Sequence, residues 1–185
     1  MEQQKTIEIF AEITPNPNTL KFNVNKILLE AGTLDYPDAP KAGESYLAAE
    51  LFAIPGVMGV FIGRDFITVT KASDGKWDPL VQAVIGKIKT LLVSDRELFP
   101  KVAAVTNQGQ SDVERRIREI LDSEIRPAVA MDGGDIIFHG YRDGVVTLHL
   151  QGACSSCPSS ILTLKMGVEN RLRALVPEIK EVVQM

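Results

Sequence analysis

An α+β protein of two small domains is what this sequence predicts, on three observations. A chain of 185 residues is long for one small domain and comfortable for two. Short alternating or β-branched stretches interleave with stretches whose apolar residues recur every three or four positions, the respective signals of strand and helix. Between them lies a polar break, Thr106-Asn107-Gln108-Gly109-Gln110, which reads as an interdomain linker. The expectation is a ββαββα unit over residues 1–93 whose sheet is covered by two helices, a linker over 94–111, and an αββαβ unit over 112–185.

In the first unit, residues 6–13 alternate, with Ile7, Ile9 and Ala11 set against Glu8, Phe10 and Glu12, and predict a strand. Thr14-Pro15-Asn16-Pro17-Asn18 breaks it, since proline and asparagine favour turn or extended backbone. Residues 20–24 predict a second strand. Residues 30–44 carry Gly32, Pro37, Pro40 and Gly43 and read as a surface loop. Ser45 is placed to cap a helix with apolar positions Leu47, Leu51 and Ile54, which Pro55-Gly56 stops. Residues 57–62 and 66–70 predict a hairpin through Gly63-Arg64-Asp65. Asp78-Pro79 pairs a cap with a proline at the first helical position, and Leu80, Val81, Val84, Ile85, Ile88 and Leu91 line one face of the helix that follows. This unit contains no Cys and no His and shows no catalytic constellation.

The second unit opens on a capping box, Ser111 with Glu114, ahead of a helix with the apolar stripe Val113, Ile117, Ile120, Leu121 and Ile125. Pro127 is expected to end or kink it. In Met131-Asp132-Gly133-Gly134-Asp135 two adjacent glycines give backbone freedom where helix must turn into strand. Residues 136–141 predict that strand, Arg142-Asp143-Gly144 the turn, and 144–150 a second strand. Pro158 suits the first position of a helix carrying Ile161, Leu164, Val168, Leu172 and Leu175. Pro177 breaks it, and residues 179–183 predict a last strand.

Composition excludes several classes. Apolar residues are 45% and charged residues 24% of the chain, the profile of an ordinary soluble globular protein. The net charge of −4 divides evenly between the two units, so no basic patch points to nucleic acid. No apolar run approaches the ~18 residues of a membrane span, and no membrane partner is expected. Residues 1–5 are polar and resemble neither a signal nor a transit peptide. Two cysteines do not make a disulfide framework, so a reducing cytoplasm is the expected home.

Those two cysteines, Cys154 and Cys157, lie in Gln151-Gly152-Ala153-Cys154-Ser155-Ser156-Cys157-Pro158, on the loop that enters a helix. Free N–H groups and the positive helix end there favour thiolate. Two buried cysteines acting as small hydrophobes fit poorly with so tight and polar a loop. A structural zinc site needs four ligands. The chain adds only His139 and His149, one per strand of the hairpin, and has no second CxxC. A dithiol–disulfide oxidoreductase would place CxxC at a helix start after a strand, although the preceding pattern is an antiparallel hairpin. Iron–sulfur ligation would use the pair as half of the usual four thiolates, with Gly152 and Ala153 leaving room for a bulky cluster. The residues alone leave the last two readings open.

Arg126-Pro127-Ala128-Val129, Asp132-Gly133-Gly134-Asp135-Ile136, Gly144-Val145-Val146 and Gly152-Ala153-Cys154-Ser155-Ser156-Cys157-Pro158-Ser159-Ser160 together resemble the NifU-like C-terminal domain of the Nfu family of iron–sulfur cluster carriers. Thr14-Pro15-Asn16-Pro17-Asn18-Thr19-Leu20-Lys21-Phe22 and Ile54-Pro55-Gly56-Val57 are similar to the Nfu N-terminal domain. The resemblance spans nearly the whole chain. It implies a carrier, not an enzyme, that binds a [4Fe-4S] cluster through Cys154 and Cys157. It also implies apo iron–sulfur client proteins and upstream assembly factors as partners. Since each chain offers two thiolates and the cluster takes four, a cluster-bridged homodimer is expected. The family's longer nitrogen-fixation members add a cysteine-bearing scaffold domain and a ferredoxin-like domain, for which this chain has no cysteines. Organellar members carry a targeting segment, and none is expected here.

Overall fold

The computed structural model describes residues 6–94, 96–100, 111–155 and 158–185. The chain is α+β and forms two compact units, Met1–Ala103 and Ala104–Met185.

The first unit is one antiparallel sheet of β1 (Ile9–Ile13), β2 (Thr19–Val24), β3 (Leu34–Tyr36), β4 (Val57–Ile62) and β5 (Phe66–Lys71), in the order β1-β2-β5-β4-β3. Alternate residues of the central strands, among them Leu20, Phe22, Ile67 and Val69, share a core with helices α1 (Tyr46–Phe52) and α2 (Trp77–Val93). Ser45 caps α1 as its position predicts, its hydroxyl accepting from Ala48 N at 3.3 Å. Helix α2 opens at Trp77, ahead of the expected Asp78-Pro79 start, and has no side-chain cap. Asp78 lies inside its first turn, where a negative charge meets the positive helix end.

One strand was not foreseen. Residues 30–44 hold β3 and a 3-10 turn over Ala39–Glu44 capped by Asp38. A strand of three residues is too short to display a period of two, and only its place beside β4 defines it. The Thr14–Asn18 break is a tightly bonded turn. Asn16 is buried, Asn18 N donates to Asn16 Oδ1 at 3.0 Å, and Trp77 Nε1 donates to Pro17 O at 3.2 Å. Residues 96–100 stay with the first unit: Leu98 is in its core, and the Leu98 carbonyl accepts from Ser45 Oγ at 2.9 Å. Residues 101–110 of the expected linker lie outside the described residues.

The second unit runs α3 (Asp112–Ile120), a π turn (Leu121–Ile125), α4 (Arg126–Met131), β6 (Gly134–Arg142), β7 (Val145–Gly152), α5 (Pro158–Leu175) and β8 (Glu181–Gln184). The capping box is present, with Ser111 N donating to Glu114 Oε2 at 2.9 Å and Glu114 N to Ser111 Oγ at 3.2 Å. Pro127 neither ends the helix nor breaks it. Its missing N–H and its ring forbid an ordinary i→i−4 bond there. The preceding turn widens instead, with Arg126 N–H bonding Leu121 O five residues back, and helical backbone continues to Met131. Strands β6 and β7 form a hairpin closed by Asp143 at φ 53° and Gly144 at φ 91°, both left-handed as a two-residue turn matching strand twist requires. Strand β8 pairs parallel to β7, so α5 is the crossover of a strand–helix–strand unit. Ile117, Leu121, Ile136, Leu148, Leu172 and Val182 are central to the core. Among the described residues no helix is long and apolar enough to cross a membrane.

Candidate functional site

The site is the end of β7. Gly152 takes φ 66° and turns the chain out of the sheet. Its carbonyl then accepts from Ser155 N at 3.2 Å and Ser155 Oγ at 2.8 Å, closing the tight polar turn that the sequence predicts. The cysteine within it is not where the sequence suggests. Cys154 is 4% exposed and packs with the second unit's core. The β alternation cannot be carried past a left-handed glycine, which is why a polar loop here delivers a thiol facing inward. Cys157 lies outside the described residues.

Opposite this turn stand the paired glycines. Gly133 takes φ 82°, and its carbonyl accepts from Ala153 N at 3.2 Å. Gly134 pairs with Gly152 across the hairpin. A Cβ on Gly134 would lie 2.5 Å from Gln151 O and 2.9 Å from Cys154 Sγ, distances at which something must move. Gly133 is thus glycine for its backbone angle, and Gly134 for the space that the thiol occupies.

Next in the chain is Asp135, 3% exposed on a strand otherwise rich in apolar residues. Arg126 Nε and Nη2 donate to its Oδ1 and Oδ2 at 2.8 and 2.7 Å, a bidentate fork, and Ile136 N donates to Oδ1 at 2.8 Å. Arg126 Nη1 also donates to Asp122 Oδ1 at 3.0 Å. The Asp135 carboxylate, through these hydrogen bonds, raises the Arg126 guanidinium above its ordinary pKa. Sequence reading found both residues inside motifs and gave them no role. The available signal was a lone carboxylate in an apolar strand directly after two glycines.

The structure brings His139 and His149 together on the hairpin, with ring centroids 6.1 Å apart and edge to face. His139 sits at a β-bulge between Phe138 and Gly140. His149 lies three residues before Gly152. Among the described residues no group of three or more His, Cys, Asp or Glu could hold a metal ion.

The antiparallel β6–β7 hairpin stands ahead of the cysteines as expected, while the parallel β7–β8 pairing makes β7, α5 and β8 a strand–helix–strand unit of the kind a dithiol oxidoreductase uses. Comparison with known proteins separates the readings. Residues 117–183 match the NifU-like domain, and residues 9–95 match the scaffold protein Nfu/NifU N terminal. The NFU1 iron-sulfur cluster scaffold homolog, mitochondrial, of Homo sapiens is 45% identical over 179 residues, which are 93% of this chain and 69% of that protein. NifU-like protein 5, mitochondrial, of Arabidopsis thaliana is 41% identical over 192 residues, 100% of this chain and 70% of that protein. The solution NMR structure of a NifU-like protein from Saccharomyces cerevisiae is 26% identical, covers 55% of this chain and 92% of that chain, and has a TM-score of 0.48.

The expected cytoplasmic home is corrected by these relatives, whose names are mitochondrial and point to mitochondria instead. Scarcity of cysteine reports a compartment that keeps thiols reduced, and does not say which one. Relatives of this kind are scaffolds and not enzymes. By its two matched domains and its identity to these proteins over nearly its whole length, the chain belongs to the Nfu/NifU-like family of iron–sulfur cluster scaffold proteins.

Proposed function

We propose that the chain carries a [4Fe-4S] cluster on Cys154 and Cys157, shared between two copies of itself, and delivers it to apo iron–sulfur client proteins. The thiol count supports this most directly. Cys154 and Cys157 are the only cysteines, a [4Fe-4S] cluster takes four thiolates, and a two-fold axis through the cluster supplies the second pair. Cys154 is 4% exposed, so ligation draws its turn outward. The left-handed glycines flanking the site, Gly133 and Gly152, supply backbone freedom for that movement. The first unit supplies the contact surface for clients or upstream assembly factors. The cluster-binding unit is residues 112–185, acting as a domain of its own.

Anaerobic reconstitution with iron and sulfide, followed by native mass spectrometry and metal analysis, tests the proposal. About one four-iron cluster per two chains is expected, with a diamagnetic [4Fe-4S] Mössbauer signature. Cys154→Ser or Cys157→Ser should abolish both the cluster and the cluster-dependent dimer while the far-UV CD stays unchanged. A stable monomer holding a complete four-iron cluster without added thiol would defeat the bridging model. A colourless protein with a defined dithiol potential would replace the carrier by an oxidoreductase.

A further inference from the structure

We infer that Arg126, acting through Asp135, is a positioning residue for Cys154: the ion pair fixes the backbone wall against which the thiol rests and so sets how readily the thiol is released. The inference rests on the reading of Cys154 as a cluster ligand, and adds what governs its access.

Four contacts carry it. Arg126 grips Asp135 at both carboxylate oxygens, at 2.8 and 2.7 Å. A bidentate fork fixes orientation as well as distance. Asp135 is 3% exposed and one residue from Gly134, whose missing Cβ would stand 2.9 Å from Cys154 Sγ. Gly133, one residue further back, accepts from Ala153 N at 3.2 Å. From guanidinium to thiol the chain of contact is therefore carboxylate, strand start, glycine wall and turn, with no long flexible side chain in it except that of Arg126.

The π turn shows why the fork can form. Pro127 forces the wide turn over Leu121–Ile125, and Arg126 follows it immediately. A widened turn changes the angular position of every later residue on the helix. Arg126 is thereby set toward β6 while still reaching Asp122 Oδ1 at 3.0 Å on its own helix. Lysine in this place would keep the charge and lose the fork.

The test is the alkylation of Cys154 by iodoacetamide in the metal-free full-length chain, in a Cys157→Ser background that leaves Cys154 as the single thiol. Arg126→Lys and Asp135→Asn should each speed alkylation on the order of tenfold, through local opening, under conditions where denaturant melts show the protein still folded. Glu124→Gln removes the exposed Arg171–Glu124 pair of 2.6 Å, whose carboxylate lies in the same π turn, and should leave the rate unchanged. An Arg126→Lys rate equal to that of the parent overturns the inference. So does an equal acceleration in Glu124→Gln, or a rate that merely follows global unfolding across denaturant concentrations. Cluster lifetime, measured in the chain with both cysteines, separates the two levels. Faster alkylation in a chain whose cluster survives Cys154→Ser keeps Arg126 as the positioning residue and removes Cys154 from the ligand set, whereas faster alkylation with an unchanged cluster lifetime overturns the claim that the ion pair governs release.

Discussion

Gly133 and Gly134 are neighbours held for different reasons, and substitution separates them. Alanine at Gly134 meets Gln151 O and Cys154 Sγ and should cost on the order of 1–3 kcal/mol, as overpacking does. Alanine at Gly133 meets a backbone angle of φ 82°, and that strain should cost about 1–2 kcal/mol. Chemical denaturation measures both. The Gly134 substitution, which presses directly on the sulfur, should alter the alkylation rate of Cys154 more than the Gly133 substitution does, and equal rates in the two variants would refute the distinction. The sequence made the two glycines visible as a helix-to-strand corner. It could not show which one faces sulfur, because that depends on the pairing of Gly134 with Gly152 across the hairpin. The Arg126–Asp135 fork was hidden for a similar reason. Its partners stand nine residues apart across a helix end, a turn and a strand start, and no periodicity links such positions.

At the scale of elements, strands and helices with strong periods were legible to within two or three residues; the strand expected over 6–13 became Ile9–Ile13. Residues 66–70 became Phe66–Lys71, and 57–62 became Val57–Ile62. Two elements defeated the pattern. Strand β3 has three residues and offers no repeat to detect. The helix around Pro127 survives because a π turn absorbs the lost donor, an accommodation that helix propensity does not contain. The capping box at the start of α3 was fully legible, since it is a local motif of two side chains. Ser111→Ala should cost about 1 kcal/mol, read as a shift of the denaturation midpoint of the second unit. No shift would mean that the first turn of α3 contributes nothing to folding stability.

At the scale of the whole molecule, two units with separate cores predict that proteolysis under native conditions cuts between them. Residues 101–110, which end in the polar run 106–110, are the expected place, since Leu98 is already packed into the first core. The fragment 112–185 should then keep its CD spectrum and bind iron, and an unfolded, iron-free fragment would show that the second unit depends on the first. The strand pairings carry a further consequence, one of time. In the first unit the central pairing joins Thr19 to Thr70, so a loop of about fifty residues must close before the sheet gains its middle, and long closures slow folding. In the second unit β6 and β7 meet across the two residues Asp143 and Gly144, a closure that takes roughly microseconds. Pulse-labelling hydrogen exchange during refolding should therefore find the amides of Ile137 and His149, a hydrogen-bonded pair by antiparallel alternation from the Ala153 N to Gly133 O bond, protected before those of Leu20 and Val69. The floor beneath Cys154 would exist while the other half of the chain is still searching for its partners.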